Sequence, residues 1–351
     1  MERTEEHALD LIERVRSRPL HFRDDQITMA HGAGGKATQA LIEGLLAPTL
    51  GVPELDDAAA VGELAITTDT YVVKPIRFPG GSIGELAVNG TVNDLAVSGA
   101  RPLALTLSLV LEEGLGAEEL RTEVEAIARA AEAAGIEVVG GDTKVVERGH
   151  CDSMYVCTTG IGRLDPRAAL SPASLAAGDR ILVSGSIGDH GTAIMLARGE
   201  FELDAAIESD TRSLWPAVDA LLAAAGESVH CLRDATRGGA ATVLNELARA
   251  SGVAIVVHEG QVPVRPAVAG ACEMLGIDPM YVANEGKLVA FVAPEAAEAA
   301  LAALRSAPGG EQASEIGEVK TDPPGMVLVE TAFGGRRVMD LLVGDPLPRI
   351  C

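Results

Sequence analysis

Short apolar runs alternate along this chain with small clusters of glycine, and this alternation limits the folds open to it. The 39 glycines stand in tight groups between apolar segments and form no low-complexity tract, which is typical of sharp turns at the ends of strands and helices. Strand-like and helix-like segments follow one another between these turns. The sequence therefore predicts an α/β (α+β) fold, and its 351 residues are too many for one ordinary core.

Two domains are expected, joined near residues 166–178, where prolines and alanines interrupt the regular pattern. The first domain would cover residues 26–165 and the second residues 166–333. Residues 1–25 would form an N-terminal extension, in which the apolar spacing predicts a short amphipathic helix over 5–16. Residues 334–351 are predicted to be a flexible tail, because its prolines fit neither a helix nor the inside of a sheet.

The charge and hydropathy of the chain argue against several kinds of partner. A net charge of −23 disfavours nucleic acid and anionic membranes as main partners. The first residues lack the apolar core of a signal peptide, and no apolar run approaches the ~18 residues of a membrane span. A cytoplasmic protein is therefore expected. The five cysteines are odd in number and lack CxxC spacing, which disfavours a disulfide framework or a zinc site.

Aspartates stand repeatedly at the ends of predicted elements. Asp94 would lie on the buried face of a helix predicted over residues 82–98, where a carboxylate is costly unless it is paired or binds a metal. Asp142 is expected directly after a strand over residues 136–139, at the sheet edge where open α/β folds bind ligands. Lone aspartates of this kind are often turn formers. Together they favour Mg²⁺ held between carboxylates and ATP phosphates; the set is Asp57, Asp69, Asp94, Asp142 and Asp234.

A glycine-rich loop over residues 31–36 precedes a predicted helix and ends in Lys36. Its spacing does not match a P-loop, so a plain turn is one interpretation. A loop rich in backbone N–H groups that carries a lysine could also cover phosphates. His31, His190 and Arg237 are further candidates for phosphate contacts.

The sequence ends on a thiol, Cys351, preceded by a segment with two prolines. Its position excludes a prenylation box, in which the cysteine is fourth from the end. Counted from Gly334, a fully extended tail would reach roughly 55 Å at ~3.3 Å per residue. Two interpretations are open at this point: a frayed end without function, or a thiol that travels to a site elsewhere in the protein.

From His31 to Cys351, the motifs of this chain resemble, in order, those of the HypE family, the carbamoyl dehydratases of [NiFe]-hydrogenase maturation. This family lies in the superfamily of ATP-using enzymes typified by aminoimidazole ribonucleotide synthetase and selenophosphate synthetase. The end Pro348-Arg349-Ile350-Cys351 carries the resemblance most specifically. The other motifs are the loop over 31–36, Asp56-Asp57-Ala58-Ala59, Gly90-Thr91-Val92-Asn93-Asp94-Leu95-Ala96, Gly141-Asp142-Thr143-Lys144, Arg233-Asp234 with Thr236-Arg237-Gly238-Gly239, and Asn284-Glu285-Gly286-Lys287.

The resemblance implies a two-domain, aminoimidazole ribonucleotide synthetase-like fold that forms a homodimer through its N-terminal domains and binds ATP between its domains. It implies that a carbamoyltransferase, HypF, loads a carbamoyl group onto Cys351. The enzyme would then use ATP and Mg²⁺ to dehydrate this thiocarbamate to a thiocyanate. The cyano group would pass to iron on a HypC–HypD scaffold complex.

The resemblance and the side-chain chemistry together suggest which residues form the site. Cys351, Glu285 and Lys144 are assigned to catalysis, since removal of the amide protons requires a base close to the leaving phosphate; a structural Lys–Glu pair is the alternative. The nucleotide is assigned to Asp69, Asn93, Asp142, Thr143 and Lys36. The metal is assigned to Asp57, Asp69, Asp94 and Asp234.

Three alternative functions are open on the sequence alone. A selenophosphate synthetase would be expected to carry cysteine or selenocysteine in the glycine loop, whereas no cysteine precedes Cys151. Another ATP-dependent enzyme of the superfamily, such as a purine-pathway ligase or a thiamine-phosphate kinase, would leave the Pro-Arg-Ile-Cys end unexplained. A non-catalytic thiol carrier would shuttle a group on Cys351 without hydrolysing ATP.

Overall fold

A computed structural model gives the fold and describes residues 21–52, 56–199, 206–342, 344 and 349–351. The helix predicted over 5–16 and both prolines of the tail lie outside these residues. In the described part of the chain, no helix is both long enough and apolar enough to cross a membrane.

The first half of the described chain forms a five-stranded mixed sheet. Before it, α1 (Lys36–Leu41) continues through a π-helical turn (Ile42–Leu46) into α2 (Ala47–Leu50). The strands are β1 (Ala59–Val61), β2 (Leu64–Tyr71), β5 (Ala100–Glu112), β6 (Glu137–Val146) and β7 (Met154–Leu164), in the order β1-β2-β7-β5-β6. A separate short hairpin pairs β3 (Arg77–Phe78) with β4 (Gly81–Ser82).

Two helices cover one face of this sheet, α3 (Ile83–Val97) and α4 (Ala117–Ala134). Residues along β2 and β7 alternate between buried and more exposed, as expected for strands with one covered face. Helix α4 ends at Gly135, which takes the left-handed conformation at φ +68°. On the other face of the sheet, the side chains of Thr68, Thr106 and Thr159 are exposed.

The second half forms a seven-stranded sheet in the order β14-β13-β10-β12-β8-β11-β9. Its strands are β8 (Arg180–Val183), β9 (Val229–Asp234), β10 (Ala254–His258), β11 (Leu288–Val292), β12 (Ser314–Lys320), β13 (Val327–Glu330) and β14 (Arg336–Met339). Its helices are α5 (Asp189–Ala197), α6 (Trp215–Ala225), α7 (Gly239–Ser251), α8 (Pro266–Leu275) and α9 (Ala297–Ser306). Apolar residues on one face pack against α6 and α9, and those on the other pack against α7.

The two halves share apolar core around α3. Ala96 and Val97 of α3 pack in one cluster with Leu182 and Leu214 of the second half. A second cluster joins residues of β2 and α3 to residues of α5 and α8. Because these contacts fix one half against the other, the cleft between them has defined walls. The division near residue 166 stays a prediction.

The structure differs from the sequence prediction in two segments. Residues 336–339, placed in the flexible tail, form β14 and pair with β13, because Met339 and the following Leu341 are buried apolar residues that anchor this segment. Asp142 does not follow a strand end but lies within β6, which continues to Val146. Its neighbour Gly141 marks a close approach of β5 and not a turn, since a Cβ there would lie 1.9 Å from the Leu107 carbonyl oxygen.

Candidate active site between the two halves

The described side chains bring carboxylates from five elements to one region, where the two sheets approach each other around α3. They come from the loop before β1, from β2, from α3, from the last residue of β9 and from the loop before β11. These residues, here called the carboxylate cluster, are Asp57, Asp69, Asp94, Asp234 and Glu285. The four aspartates are those that the sequence assigns to a metal, and the fold places them together.

Burial and mutual repulsion oppose ionisation of this cluster. Burial raises the pKa of Asp94 well above its usual range, and Asp234, Asp57 and Asp69 raise it further. The Thr67 hydroxyl donates to Asp94 at 2.9 Å and opposes this rise. Burial also raises the pKa of Asp234 well above its usual range, again with Asp57 and Asp69 adding to it. Negative charge held this closely in a buried site is stabilised by a cation.

Arg233 of β9 supplies part of that positive charge. Its Nη1 donates to Asp57 at 2.9 Å and also donates to Asp56. Burial raises the pKa of Asp57, whereas Arg233 lowers it. The guanidinium thus offsets the charge at one end of the carboxylate cluster.

The carboxylate oxygens of the cluster are ligands that suit Mg²⁺, but they do not complete its coordination by themselves. Within the described residues, no group of three or more His, Cys, Asp or Glu side chains is arranged to hold a metal ion by itself. In nucleotide sites Mg²⁺ usually takes one or two carboxylates and completes its octahedron with water and phosphate oxygens. The cluster therefore fits a magnesium ion that binds together with a polyphosphate.

Glu285 is the member of the cluster best suited to accept a proton. The residue is 2% exposed, and its Oε1 has no hydrogen-bond partner among the described residues. Burial raises the pKa of its carboxyl well above the usual range, and Asp234, Asp210 and Asp69 raise it further, while Arg237 lowers it. A buried carboxylate of raised basicity with an unpaired oxygen has the properties of a general base.

A buried ion pair holds the backbone at Glu285. Lys287 Nζ donates to Asp210 Oδ2 at 2.8 Å, and the N–H of Glu285 donates to Asp210 Oδ1 at 3.0 Å. The side chains of Lys287 and Asp210 are 2% and 1% exposed. Burial by itself would raise the pKa of Asp210, but Lys287 lowers it below its usual value. The pair therefore stays charged and positions the general base.

Replacing Lys287 by methionine is expected to lower the free energy of unfolding by about 3–5 kcal/mol, because Asp210 would be left buried without its counter-ion. Urea denaturation measures this change. Adding Asp210→Asn should recover most of the loss, since the amide oxygen can still accept the N–H of Glu285. Lys320→Met, which removes an exposed pair with Glu318, should cost no more than about 1 kcal/mol. Equal losses in the two lysine variants would contradict the stabilising role of the buried pair.

Cys351 lies in the same region, although the segment before it is largely outside the described residues. Its side chain lines a cavity of about 200 Å³ together with Val72 and Arg237. Burial raises the pKa of the Cys351 thiol well above its usual range; Arg237 lowers it, and Glu285 raises it further. The fold thus brings together two of the three residues assigned to catalysis, Cys351 and Glu285.

Asn93, assigned to the nucleotide, instead bridges the two halves. From α3 its Nδ2 donates to the carbonyl oxygens of Arg212 at 3.0 Å and Glu285 at 3.3 Å, and its Oδ1 accepts the N–H of Leu214 at 2.7 Å. The residue is 1% exposed, and both amide hydrogens are used. A direct nucleotide contact through this amide is therefore not supported, and Asn93 fixes the backbone of Glu285.

The structure places Asp142, Thr143 and Lys144 away from the cluster. They lie on β6, an exposed edge strand, where Lys144 Nζ contacts Asp142 at 2.6 Å. Across the sheet, Asp69 of β2 pairs with Thr158 of β7, Thr158 pairs with Leu107 of β5, and Leu107 pairs with Gly141 of β6. Three strand spacings of ~4.8 Å put β6 about 14 Å from Asp69. Lys144 of this chain is therefore not paired with its Glu285.

Lys36 also lies outside the cluster. Its Nζ pairs with Asp340 Oδ2 at 2.8 Å, and its N–H donates to the carbonyl oxygen of Leu342 at 3.1 Å. The glycine loop thus contacts the segment that leads into the tail. Its assignment to the nucleotide stays a prediction.

Sequence reasoning missed the contacts that surround Cys351. Arg237 and His190 were named only as candidates for phosphate contacts; in the structure Arg237 lies beside the thiol, and His190 contacts the carbonyl oxygen of Ile350. The sequence did contain a signal for Arg237, the two glycines that follow it. In the structure Gly238 and Gly239 have φ values of +75° and +63°, and a Cβ at Gly239 would lie 2.4 Å from a backbone oxygen, so this turn requires glycine. Arg198, which also contacts the tail, carried no sequence signal.

Comparisons with known proteins agree with the fold and with the motifs. Residues 55–164 match the family model of the AIR synthase related protein N-terminal domain, and residues 176–329 match that of its C-terminal domain. The aminoimidazole ribonucleotide synthetase-like fold predicted from the sequence is thereby confirmed. The carbamoyl dehydratase HypE of Rhodobacter capsulatus is 48% identical over 341 residues, which are 95% of this chain and 100% of that protein.

Two solved structures are similar over most of the chain. The crystal structure of a HypE–HypF complex superposes with a TM-score of 0.83 at 44% identity, covering 86% of this chain and 100% of the other. The structure of the hydrogenase maturation protein HypE in complex with ATP gives a TM-score of 0.79 at 46% identity, covering 93% and 100%. With relatives this similar over nearly its whole length, the chain belongs to the HypE family of carbamoyl dehydratases.

Proposed function

We propose that this protein uses ATP to dehydrate a carbamoyl group carried on Cys351, forming a thiocyanate whose cyano group becomes a ligand of the iron in [NiFe]-hydrogenase. The observation that carries the proposal is the position of Cys351, whose thiol lies in a cavity beside Glu285 and Arg237. A group bound to this sulfur would face both a base and a cation. The names of the relatives, carbamoyl dehydratases of hydrogenase maturation, support the same reaction.

The proposed reaction proceeds in two steps that balance. The carbamoyl oxygen attacks the γ-phosphorus of ATP as the nitrogen gives up its first proton, which forms a C–O–P linkage and releases ADP. The C–O bond then breaks, phosphate leaves with the carbamoyl oxygen, and the second N–H proton passes to a base as the C≡N bond forms. The oxygen of the lost water is thus in the phosphate, and its two hydrogens are released as one proton in each step. An amide oxygen leaves poorly as such, so phosphorylation supplies the leaving group.

The residues around the sulfur have distinct roles in these steps. Glu285 accepts the proton in the elimination, consistent with its burial and its unpaired oxygen. Arg237 is held by the Gly32 carbonyl oxygen at 3.2 Å and lies 3.9 Å from Asp69. Its charge, fixed beside Cys351, would stabilise the negative charge that develops on the carbamoyl oxygen and the phosphoryl group.

The aspartates of the carboxylate cluster would bind the nucleotide through metal. Asp57, Asp69, Asp94 and Asp234 would hold Mg²⁺ together with the phosphates. When bound, the ion neutralises phosphate charge and so makes the γ-phosphorus more open to attack. The support for this part is the repulsion within the cluster, which a divalent ion relieves.

We also infer a homodimer in which β6 of one copy reaches the cluster of the other. Strand β6 is a sheet edge on which Val139 and Val145 are 60% and 67% exposed, and exposed apolar edges are ordinarily covered by another chain. Since Lys144 is separated from Glu285 of its own chain, a second copy would supply this lysine, with Asp142 and Thr143, to the site. HypF, present in a complex with a relative, would load the thiol, and a HypC–HypD scaffold would receive the cyano group.

Mass spectrometry of the C-terminal peptide tests the reaction. The protein, carbamoylated by HypF, is incubated with and without ATP and Mg²⁺. Loss of one water from the Cys351 adduct, with one ADP formed per adduct converted, is expected only with ATP. Conversion without ATP hydrolysis would indicate a carrier, and an unchanged adduct would refute the dehydratase function.

Mixed dimers test whether Lys144 acts across the dimer. Lys144→Ala and Glu285→Gln are each expected to slow water loss by about 10²-fold or more in homodimers. In a purified heterodimer of the two variants, one of the two sites holds both intact residues, so activity should return to about half of wild type. If both residues acted within one chain, the heterodimer would stay inactive.

A further inference from the structure

The last three residues of the chain form a short antiparallel pairing with the segment that follows β2. The N–H of Val72 donates to the carbonyl oxygen of Cys351, and the N–H of Lys74 donates to that of Arg349, each at 3.2 Å. Bonds at every second residue are the pattern of a β-ladder. Ile350, between them, is 4% exposed and packs in the cluster that joins the two halves.

His190 contacts the middle of this pairing from α5. Its Nε2 lies 2.5 Å from the carbonyl oxygen of Ile350, and its Nδ1 lies 2.7 Å from Ser209 Oγ. The carbonyl oxygen of Ile350 can only accept, so Nε2 carries a proton. Burial lowers the pKa of His190 and so favours the neutral imidazole, in which Nδ1 accepts from the Ser209 hydroxyl. The ring is therefore set as a donor to the tail.

Arg198, which follows α5, ties both partners of the pairing together. Its Nη2 donates to the carbonyl oxygen of Arg349 at 2.6 Å, and its Nε donates to that of Lys74 at 2.8 Å. The side chains of Lys74 and Arg349 also share Asp152, which accepts from Lys74 Nζ at 2.7 Å and from Arg349. Charged groups thus link the two segments of the pairing.

We propose that His190 and Arg198 are positioning residues, which hold the terminal segment in the cavity and so set how often Cys351 faces Glu285 and how often it is available to a loading enzyme. The same contacts place the sulfur in the cavity, where it is only partly exposed, and we expect a loading enzyme to reach it more readily when they are released. The catalytic part of this inference rests on the proposed dehydration, whereas the docking of the tail is measurable without it.

Alkylation of Cys351 by iodoacetamide, followed by peptide mass spectrometry, measures the release of the tail. Arg198→Ala is expected to raise the alkylation rate about tenfold, because hydrogen bonds to charged groups shift an equilibrium by roughly that factor. Arg198→Lys, which can restore one of the bonds, should lie between. Arg121→Ala, on the exposed face of α4, is the matched control and should leave the rate unchanged.

The same variants separate docking from chemistry. For Arg198→Ala loaded in advance with carbamoyl, ATP-dependent water loss should fall severalfold, because the docked segment then holds the sulfur less precisely against Glu285, while loading by HypF is not slowed. His190→Gln, which keeps a donor, should retain more activity than His190→Leu. Equal alkylation of Cys351 in Arg198→Ala and Arg121→Ala would overturn the proposal. Faster alkylation with unchanged water loss would overturn the positioning role. If wild type itself shows no water loss but alkylation still differs, the proposed reaction fails and the docking stands.

Discussion

Replacement of Cys351 by alanine is expected to abolish the formation of the cyano group completely while leaving nucleotide binding within about twofold of wild type. The sulfur is the only heavy atom that the alanine variant lacks, and the carboxylate cluster lies on β2, α3, β9 and the loops before β1 and β11, whose folding does not require this atom. Removing an acceptor atom eliminates the covalent adduct, so no residual rate is expected. Product formation is followed by mass spectrometry, and ATP binding by calorimetry in the presence of Mg²⁺.

The matched control for this variant is Cys157→Ala. Cys157 is another half-buried thiol, on β7, and its loss should leave turnover unchanged. A Cys351→Ala protein that still supplied the cyano group would show that another residue carries the substrate. Loss of nucleotide binding in this variant would show instead that the tail forms part of the ATP site.

Glu285→Gln is expected to accumulate the carbamoylated thiol and to slow water loss by about 10²–10⁴-fold, the usual contribution of a general base. The amide keeps the size of the side chain and cannot accept the proton. The adduct at Cys351, resolved from the thiocyanate by mass, measures this. Turnover like that of wild type would remove Glu285 from the catalytic role.

The unfolding temperature of Glu285→Gln shows whether its slower water loss comes from misfolding. Glu285 is surrounded by Asp234, Asp210 and Asp69, which raise its pKa, so a neutral amide removes repulsion in the folded state. The Gln variant should therefore unfold at the same or a higher temperature than wild type. Glu273→Gln, an exposed glutamate on α8, should change neither turnover nor stability and is the control. A lowered unfolding temperature in Glu285→Gln would mean that the carboxylate has a structural role.

The sequence was sufficient to predict the elements and much of the carboxylate cluster. Helix α3, predicted over residues 82–98, occupies Ile83–Val97; it was predictable because an N-cap serine and apolar spacing act locally, within a few residues of each other. The convergence of Asp57, Asp69, Asp94 and Asp234 followed from their positions near element ends, since a buried carboxylate needs a partner. The family resemblance added Glu285 and Cys351, whose proximity depends on the fold.

What the sequence could not predict depends on contacts between distant segments. Asn93 looked like a nucleotide ligand, and only the packing of α3 against residues 212–214 shows that its amide is already used. Asp142 looked like a residue at a strand end, because glycines that allow two strands to approach closely resemble glycines that form a turn. Neither distinction is contained in local spacing.

The bridge between Asn93 and Leu214 has a spectroscopic consequence. The chain contains one tryptophan, and it is Trp215, directly after the residue whose N–H Asn93 accepts. All indole fluorescence of the protein therefore originates at the contact between α3 and the second half. A shift of one half against the other, whether on nucleotide binding or on release of the tail, would change the emission without any attached label.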